Sequence, residues 1–217
     1  MSQDEIISET KKFVQQALVN AEGGHDWFHT ERVYKNALLI SEKENVDVFV
    51  VALGALLHDI ADSKFHHGDE TIGPKKAYKF LSHLNVDREV IEHVINIIAH
   101  VSFKGGHEVL KYHSAELDVI QDADRLDAMG AIGIARTFNY GGFKNRPLYN
   151  PAIKVNLNMT KAEYKASTAP TINHFYEKLL LLKNKMNTDT AKQIAVKRHE
   201  FMEQFLDRFY KEWNGMI

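Results

Sequence analysis

Apolar residues recur at helical spacing along nearly the whole chain, and no segment alternates with the two-residue period of a strand. Ile6, Phe13, Ala17 and Leu18 mark one stripe of an opening helix that Gly23 and Gly24 end. Residues 27–43 predict a second helix with Val33, Ala37 and Ile40 turned inward. The run from Asp47 to His58 is apolar nearly all round, which predicts a buried central helix. Residues 62–73 are polar and read as an exposed loop. Two amphipathic helices follow over 75–84 and 86–101, the second set by Val90, Val94, Ile97 and Ile98. Phe103 to Gly106 breaks the chain, and 108–137 predicts two helices or one bent helix with Ala128, Ile132 and Ala135 inward. The stretch 139–162 holds Gly141, Gly142, Pro147 and Pro151 and predicts a long irregular segment, of the kind that serves as a lid. Residues 169–186 and 188–213 close the chain as two long helices, with Pro170 at a first helical position and Thr188 as a cap. The expected fold class is all-α, without internal repeats.

Composition narrows the partners more than the fold. A net charge of −2, from 27 basic and 29 acidic side chains, sets up no global field for nucleic acid or an anionic membrane, so neither is an expected partner. An anionic ligand must be attracted locally. With no cysteine, disulfides and thiolate metal sites are excluded. The polar, acidic start from Met1 to Thr10 is unlike a secretory signal, and the apolar stretch 46–60 is interrupted by Asp47, His58 and Asp59 and too short to span a bilayer. A soluble, cytoplasmic protein is expected. Histidine is the outlier, with twelve copies, and imidazole is the commonest metal-ligating side chain.

Three pieces of sequence carry the chemistry: His25 to His29, Leu57-His58-Asp59-Ile60, and Asp122 to Asp127. His58 and Asp59 close an otherwise apolar helix. Burying a carboxylate beside an imidazole costs several kcal/mol unless both are paired or bind a cation. Neutral imidazole and carboxylate together suit Zn, Mn, Fe, Ni or Co. Adjacent helical residues point about 100° apart, so both reach one ion only where the helix ends. His29 and a late aspartate then come from other helices; spacing alone does not choose between Asp124 and Asp127, which share nearly one helix face.

The order His, His-Asp, Asp, with Asp-Ala-Asp-Arg-Leu-Asp around the last residue, resembles the HD superfamily of metal-dependent phosphohydrolases. The similarity extends over the Gly-His-Asp-Trp-Phe-His-Thr entry, the His-Asp-Ile-Ala-Asp-Ser-Lys-Phe segment and the end from Arg198 to Trp213, as in a bacterial single-domain branch. It implies one compact multi-helix HD-type domain over 1–217, with a metal core over about 22–138, a lid-like segment over 139–162 and C-terminal helices over 163–217. It implies one divalent ion (Mn, Ni, Co, Mg, Fe or Zn) on His29, His58, Asp59 and Asp124. Asp62 is then the candidate for handling the attacking water, and Lys64 and Arg125 for meeting phosphate oxygens as catalytic cations. His25, Arg32, His100, Lys144 and Arg146 are candidate substrate contacts. His25 has two further readings, as support for a metal ligand and as the cap of the helix beginning at Asp26. His100 has a second reading as ligand to another metal. Tyr140 and Tyr149 add stackable rings beside Lys144 and Arg146. Phe201, Phe205, Phe209 and Trp213 read as core or as an oligomer face, and a homodimer is possible. The implied reaction is hydrolysis of a phosphoester or phosphoanhydride bond in a small phosphorylated substrate, a nucleotide, of the triphosphate pyrophosphohydrolase or 5′-nucleotidase type. The competing readings are a metal-stabilised nucleotide-binding module without turnover and a di-iron oxygenase.

Overall fold

The computed structural model describes residues 1–19, 21, 24–61, 69, 71–101 and 112–217. Asp62, Lys64 and the break at Phe103 to Gly106 lie outside the described residues. Among the described residues the regular structure is helical, with no strand. No helix among them is long and apolar enough to cross a membrane. The chain forms two compact units, Met1–Asp124 and Arg125–Ile217.

In the first unit, helix α1 (Gln3–Ala17) begins at a reciprocal cap: Ser2 Oγ accepts from the Glu5 amide at 3.2 Å and the Ser2 amide donates to Glu5 at 2.8 Å. Its buried stripe is Ile6, Thr10, Val14 and Leu18; Ala17 is exposed and Phe13 sits at the edge, stacked on Phe80. The expected stripe was therefore rotated. Thr10 fits inside because its hydroxyl donates to the Ile6 carbonyl at 2.7 Å. The helix ends at Ala17, ahead of the glycines expected to stop it.

Helix α2 (Trp27–Ser41) buries Val33, Ala37 and Ile40 as expected. Helix α3 (Val48–Leu57) starts where Asp47 accepts from the Phe49 and Val50 amides, and every residue from Phe49 to Leu57 is buried. It is the central rod, packed by α1, by α2 and by α5 (Arg88–His100). At Gly54 a β-carbon would stand 2.6 Å from Ile120 Cδ1, so the missing side chain lets α6 (Ala115–Asp127) approach. Helix α4 (Ile72–His83) packs against α5. The buried stripe of α5 is Ile91, Val94, Ile97 and Ile98, with Val90 at its margin.

In the second unit, α7 (Gly130–Phe143) departs from expectation twice. Ile132 and Ala135 are exposed, and the buried positions include Gly133 and Gly141. A β-carbon at Gly141 would lie 2.2 Å from Thr171 Oγ1, so this face packs through an absent side chain. The helix also runs through Gly141 and Gly142, so residues 139–143 are not irregular as predicted. It ends in a left-handed residue, Asn145 at φ 53°, with the Arg146 amide donating to the Gly141 carbonyl at 2.8 Å and the Asn145 amide to Gly142 at 3.0 Å. The irregular segment is 144–160, and α8 (Lys161–Ala166) follows it.

The single long helix predicted over 169–186 is instead α9 (Asn173–Glu177) and a 3₁₀ helix (Leu179–Lys185), with Lys178 at φ −142° between them. Pro170 is not at a first helical position. The Thr171 and Ile172 amides donate to the Pro147 and Leu148 carbonyls at 2.9 and 3.0 Å, so their backbone is spent on the irregular segment. Helix α10 (Asp189–Trp213) starts at the expected cap, Thr188. Its buried line is Ala191, Ala195, His199, Met202 and Leu206. Of the aromatic series beside it, Phe205 packs with Phe138 and Phe175, and Phe209 with Tyr149, while Phe201 stays 49% exposed.

Candidate metal centre

The centre is assembled in the first unit from three places far apart in sequence. Asp26 caps α2 by accepting from the His29 amide at 2.8 Å, which fixes His29 in the first turn. Asp26 is thus the cap, not His25. α3 stops at Leu57, and the Ile60 amide donates back to the Leu57 carbonyl at 3.2 Å, a tightened last turn. His58 and Asp59 therefore leave the regular helix and turn toward the same place, as the helix-end argument requires.

His58 Nδ1 lies 2.8 Å from the Ala55 carbonyl, and a carbonyl only accepts. Nδ1 must carry the proton, which leaves the lone pair of the neutral ring on Nε2. That atom is buried and makes no hydrogen bond. The backbone thus selects the tautomer whose unprotonated nitrogen faces the cluster.

Around it the polar atoms have a distinctive spacing. Asp59 Oδ2 stands 3.6 Å from His58 Nε2 and 3.6 Å from His29 Nε2, and Asp124 Oδ1 stands 3.5 Å from His29 Nε2. These separations exceed the usual 2.7–3.2 Å of a hydrogen bond. They lie just above the roughly 3–3.4 Å between neighbouring ligands held about 2.1 Å from one ion. Ligand atoms of His29, His58 and Asp124 all lie within 4.8 Å of one another, and so do those of His25, His29 and Asp59. The imidazole side is closed, with His29 and His58 side chains 1% and 2% exposed, whereas Asp124 is 45% exposed. The donor set suits a divalent transition ion, and the open side leaves room for water and a ligand.

Asp59 is the electrostatic hub. Burial alone would raise its pKa, but the surrounding imidazoles, His58 first and then His25 and His29, outweigh burial and hold it well below the usual carboxylate range. The shortest contact is from His25, whose Nδ1 lies 2.6 Å from Asp59 Oδ2. His25 therefore braces Asp59.

The aspartates of α6 divide the work. Asp127 is 1% exposed and bound by Arg136 Nη1 at 2.5 Å, so it anchors α7 rather than joining the cluster. Arg125 donates from Nη1 to the Lys185 carbonyl at 2.7 Å. Arg32 is partly buried one turn beyond His29 on α2. His100 bonds the Asn96 carbonyl through Nδ1 at 2.8 Å and packs on Tyr112, and no metal-holding group among the described residues includes it. Lys144 and Arg146 gather at Tyr140, which belongs to α7 and not to a loop; Tyr149 packs on Tyr210 and Trp213. Sequence reasoning missed Asn36, whose side chain donates to the Ala123 carbonyl at 3.3 Å and ties α2 to α6 one residue before Asp124. It lies seven residues after His29, on the same helix face, and that spacing was the available signal.

Comparisons with known proteins place the chain in a family. The HD domain family model matches residues 27–129. The chain is 38% identical over 207 residues to the uncharacterized protein YpgQ of Bacillus subtilis, covering 95% of this chain and 93% of that one. Among solved structures, an HD-superfamily hydrolase of Bacillus thuringiensis is 44% identical with a TM-score of 0.79, covering 98% of this chain and 99% of that one. Bacillus subtilis YpgQ in complex with ADP is 36% identical with a TM-score of 0.77, covering 98% and 97%. With its helical fold, its imidazole–carboxylate cluster and these full-length relatives, the chain belongs to the HD superfamily of metal-dependent phosphohydrolase-type domains.

Proposed function

We propose that this protein hydrolyses a phosphoester or phosphoanhydride bond of a nucleotide with one divalent ion held by His29, His58, Asp59 and Asp124. The observation that carries this reading is the set of 3.5–3.6 Å separations among His29, Asp59, His58 and Asp124, too long for hydrogen bonds and within a few tenths of an ångström of the spacing of shared ligands. When bound, such an ion supplies a water activated near neutral pH and polarises a phosphoryl oxygen. The chain's own groups do the rest. His58 is held in its ligating tautomer by the Ala55 carbonyl, and Asp59 is held ionised by its imidazole neighbours. Asp62 is the proposed acceptor of the water's proton, and Lys64 and Arg125 the proposed cations for phosphate oxygens. Arg32 and His100 are proposed contacts for the rest of the substrate.

The nucleotide is supported by the ADP complex of the relative YpgQ. Triphosphate pyrophosphohydrolysis and monophosphate hydrolysis differ in product, which decides between them. The test is a panel of nucleoside mono-, di- and triphosphates against protein loaded with Mn, Co, Ni or Mg, with Asp59→Ala as the blank. Pyrophosphate or phosphate release by the wild type alone is expected. No release from any member sinks the hydrolase reading, and ADP binding without turnover would replace it with a nucleotide-binding module.

A further inference from the structure

The second unit collects positive charge against exposed rings at the end of α7. The reversal at Asn145 sets this up, because the Arg146 amide returns to the Gly141 carbonyl and folds residues 144–146 back beside the last turn. Lys144 Nζ lies 4.9 Å from the Phe143 ring centre and 5.7 Å from that of Tyr140, and Arg146 Cζ lies 5.7 Å from Tyr140. Tyr140 and Phe143 are 43% and 66% exposed. Rings of that size contribute most when covered, so two of them open beside two cations form a surface with a partner to gain.

Lys35, Arg88 and Arg208 each pair with a glutamate one turn away on their helix. Among the described residues, neither Lys144 nor Arg146 has a carboxylate partner. Arg146 is steadied by donating Nη2 to the Ser167 carbonyl at 2.5 Å, which leaves the rest of its guanidinium fork available. Close by, Tyr164 bonds His174 Nδ1 at 2.8 Å. His174 is pushed down to about 3, chiefly by burial, with the charges of Lys178 and Arg146 adding to it. In a chain of net charge −2, Lys144 and Arg146 are the kind of local attraction an anion needs.

We propose that this surface of the second unit binds a nucleoside phosphate, with the base stacked on Tyr140 and phosphate oxygens met by Lys144 and Arg146. The identity of the ligand rests on the nucleotide reading above. Stacking is sequence-tolerant because every base has a π-face, and an arginine fork suits phosphate.

The test uses the full chain in excess chelator, titrated by calorimetry with ADP and, separately, with inorganic pyrophosphate. Wild type and Asp59→Ala should bind ADP with the same affinity. Tyr140→Ala should weaken ADP by about tenfold while sparing pyrophosphate. Lys144→Glu should weaken both ligands. Both side chains are exposed, so the variants should melt as wild type does. No ADP binding in chelator, loss of binding in Asp59→Ala, or wild-type ADP affinity in Tyr140→Ala and Lys144→Glu would each overturn the proposal. Because no step of the titration needs turnover, its failure is separable from failure of the hydrolase reading.

Discussion

At the scale of single residues, the centre is organised by who holds Asp59. The 2.6 Å contact from His25 Nδ1 gives that carboxylate a fixed donor, and partners of metal ligands typically contribute 10–100-fold to metal affinity. His25→Ala should therefore weaken Mn binding by about that factor in equilibrium dialysis. His25→Asn places an amide nitrogen near the Nδ1 position and should recover most of the loss. Equal weakening by both substitutions would show that His25 does not act through that bond. The lowered pKa of Asp59 also fixes the sign of an acid effect. A carboxylate depressed on folding adds stability that is present above its unfolded value of about 3.9 and is lost as pH falls through the lower folded value. Asp59 thus stays ionised throughout mild acidification, and metal release should follow proton uptake by imidazoles, which bind metal only when neutral. Metal content measured after dialysis should fall as the pH is lowered while the protein stays folded. Metal content that does not change with pH until the protein unfolds would contradict imidazole ligation.

The elements show where sequence patterning suffices and where it does not. α3 was legible because a run of nine buried residues leaves only one environment for it. His58 and Asp59 were legible because two such groups at the end of an apolar helix need an ion or a partner. Asp124 and Asp127 share nearly one face, so spacing could not separate them; the distinction lies in Arg136, nine residues beyond Asp127, which takes it into a buried pair. The inward face of α7 escaped because glycine carries no hydrophobic signal, and the break within 169–186 escaped because it depends on backbone bonds to residues 147 and 148. Close packing at Gly141 has a measurable consequence. A β-carbon there meets Thr171 at 2.2, 3.0 and 3.2 Å, with the hydroxyl nearest. Gly141→Ala should destabilise the fold by about 1–3 kcal/mol, the usual cost of overpacking, despite alanine's better helix propensity. Adding Thr171→Ala removes the two nearer atoms and should return part of that loss in urea unfolding. A Gly141→Ala protein as stable as wild type would mean that the turn at Thr171 moves aside freely.

For the molecule as a whole, the ion would join positions 29, 58, 59 and 124, which lie far apart along the first unit. Those residues converge only when α2, the end of α3 and α6 are all in place, so the unfolded chain offers no comparable site. An ion that binds the native state alone stabilises it by mass action, about 2.7 kcal/mol at a hundredfold excess over Kd. For a chain of this length that corresponds to a rise of roughly 5–10 °C in the unfolding midpoint. Calorimetric scans with Mn and with EDTA should differ by that amount in the wild type. Asp59→Ala and His58→Ala should melt at the same temperature in both conditions, because each lacks a ligand. The contrast matters because it needs no substrate: a shift that persists in both variants would place the ion elsewhere, and no shift in the wild type would leave the imidazole–carboxylate cluster as a hydrogen-bonded core rather than a metal centre.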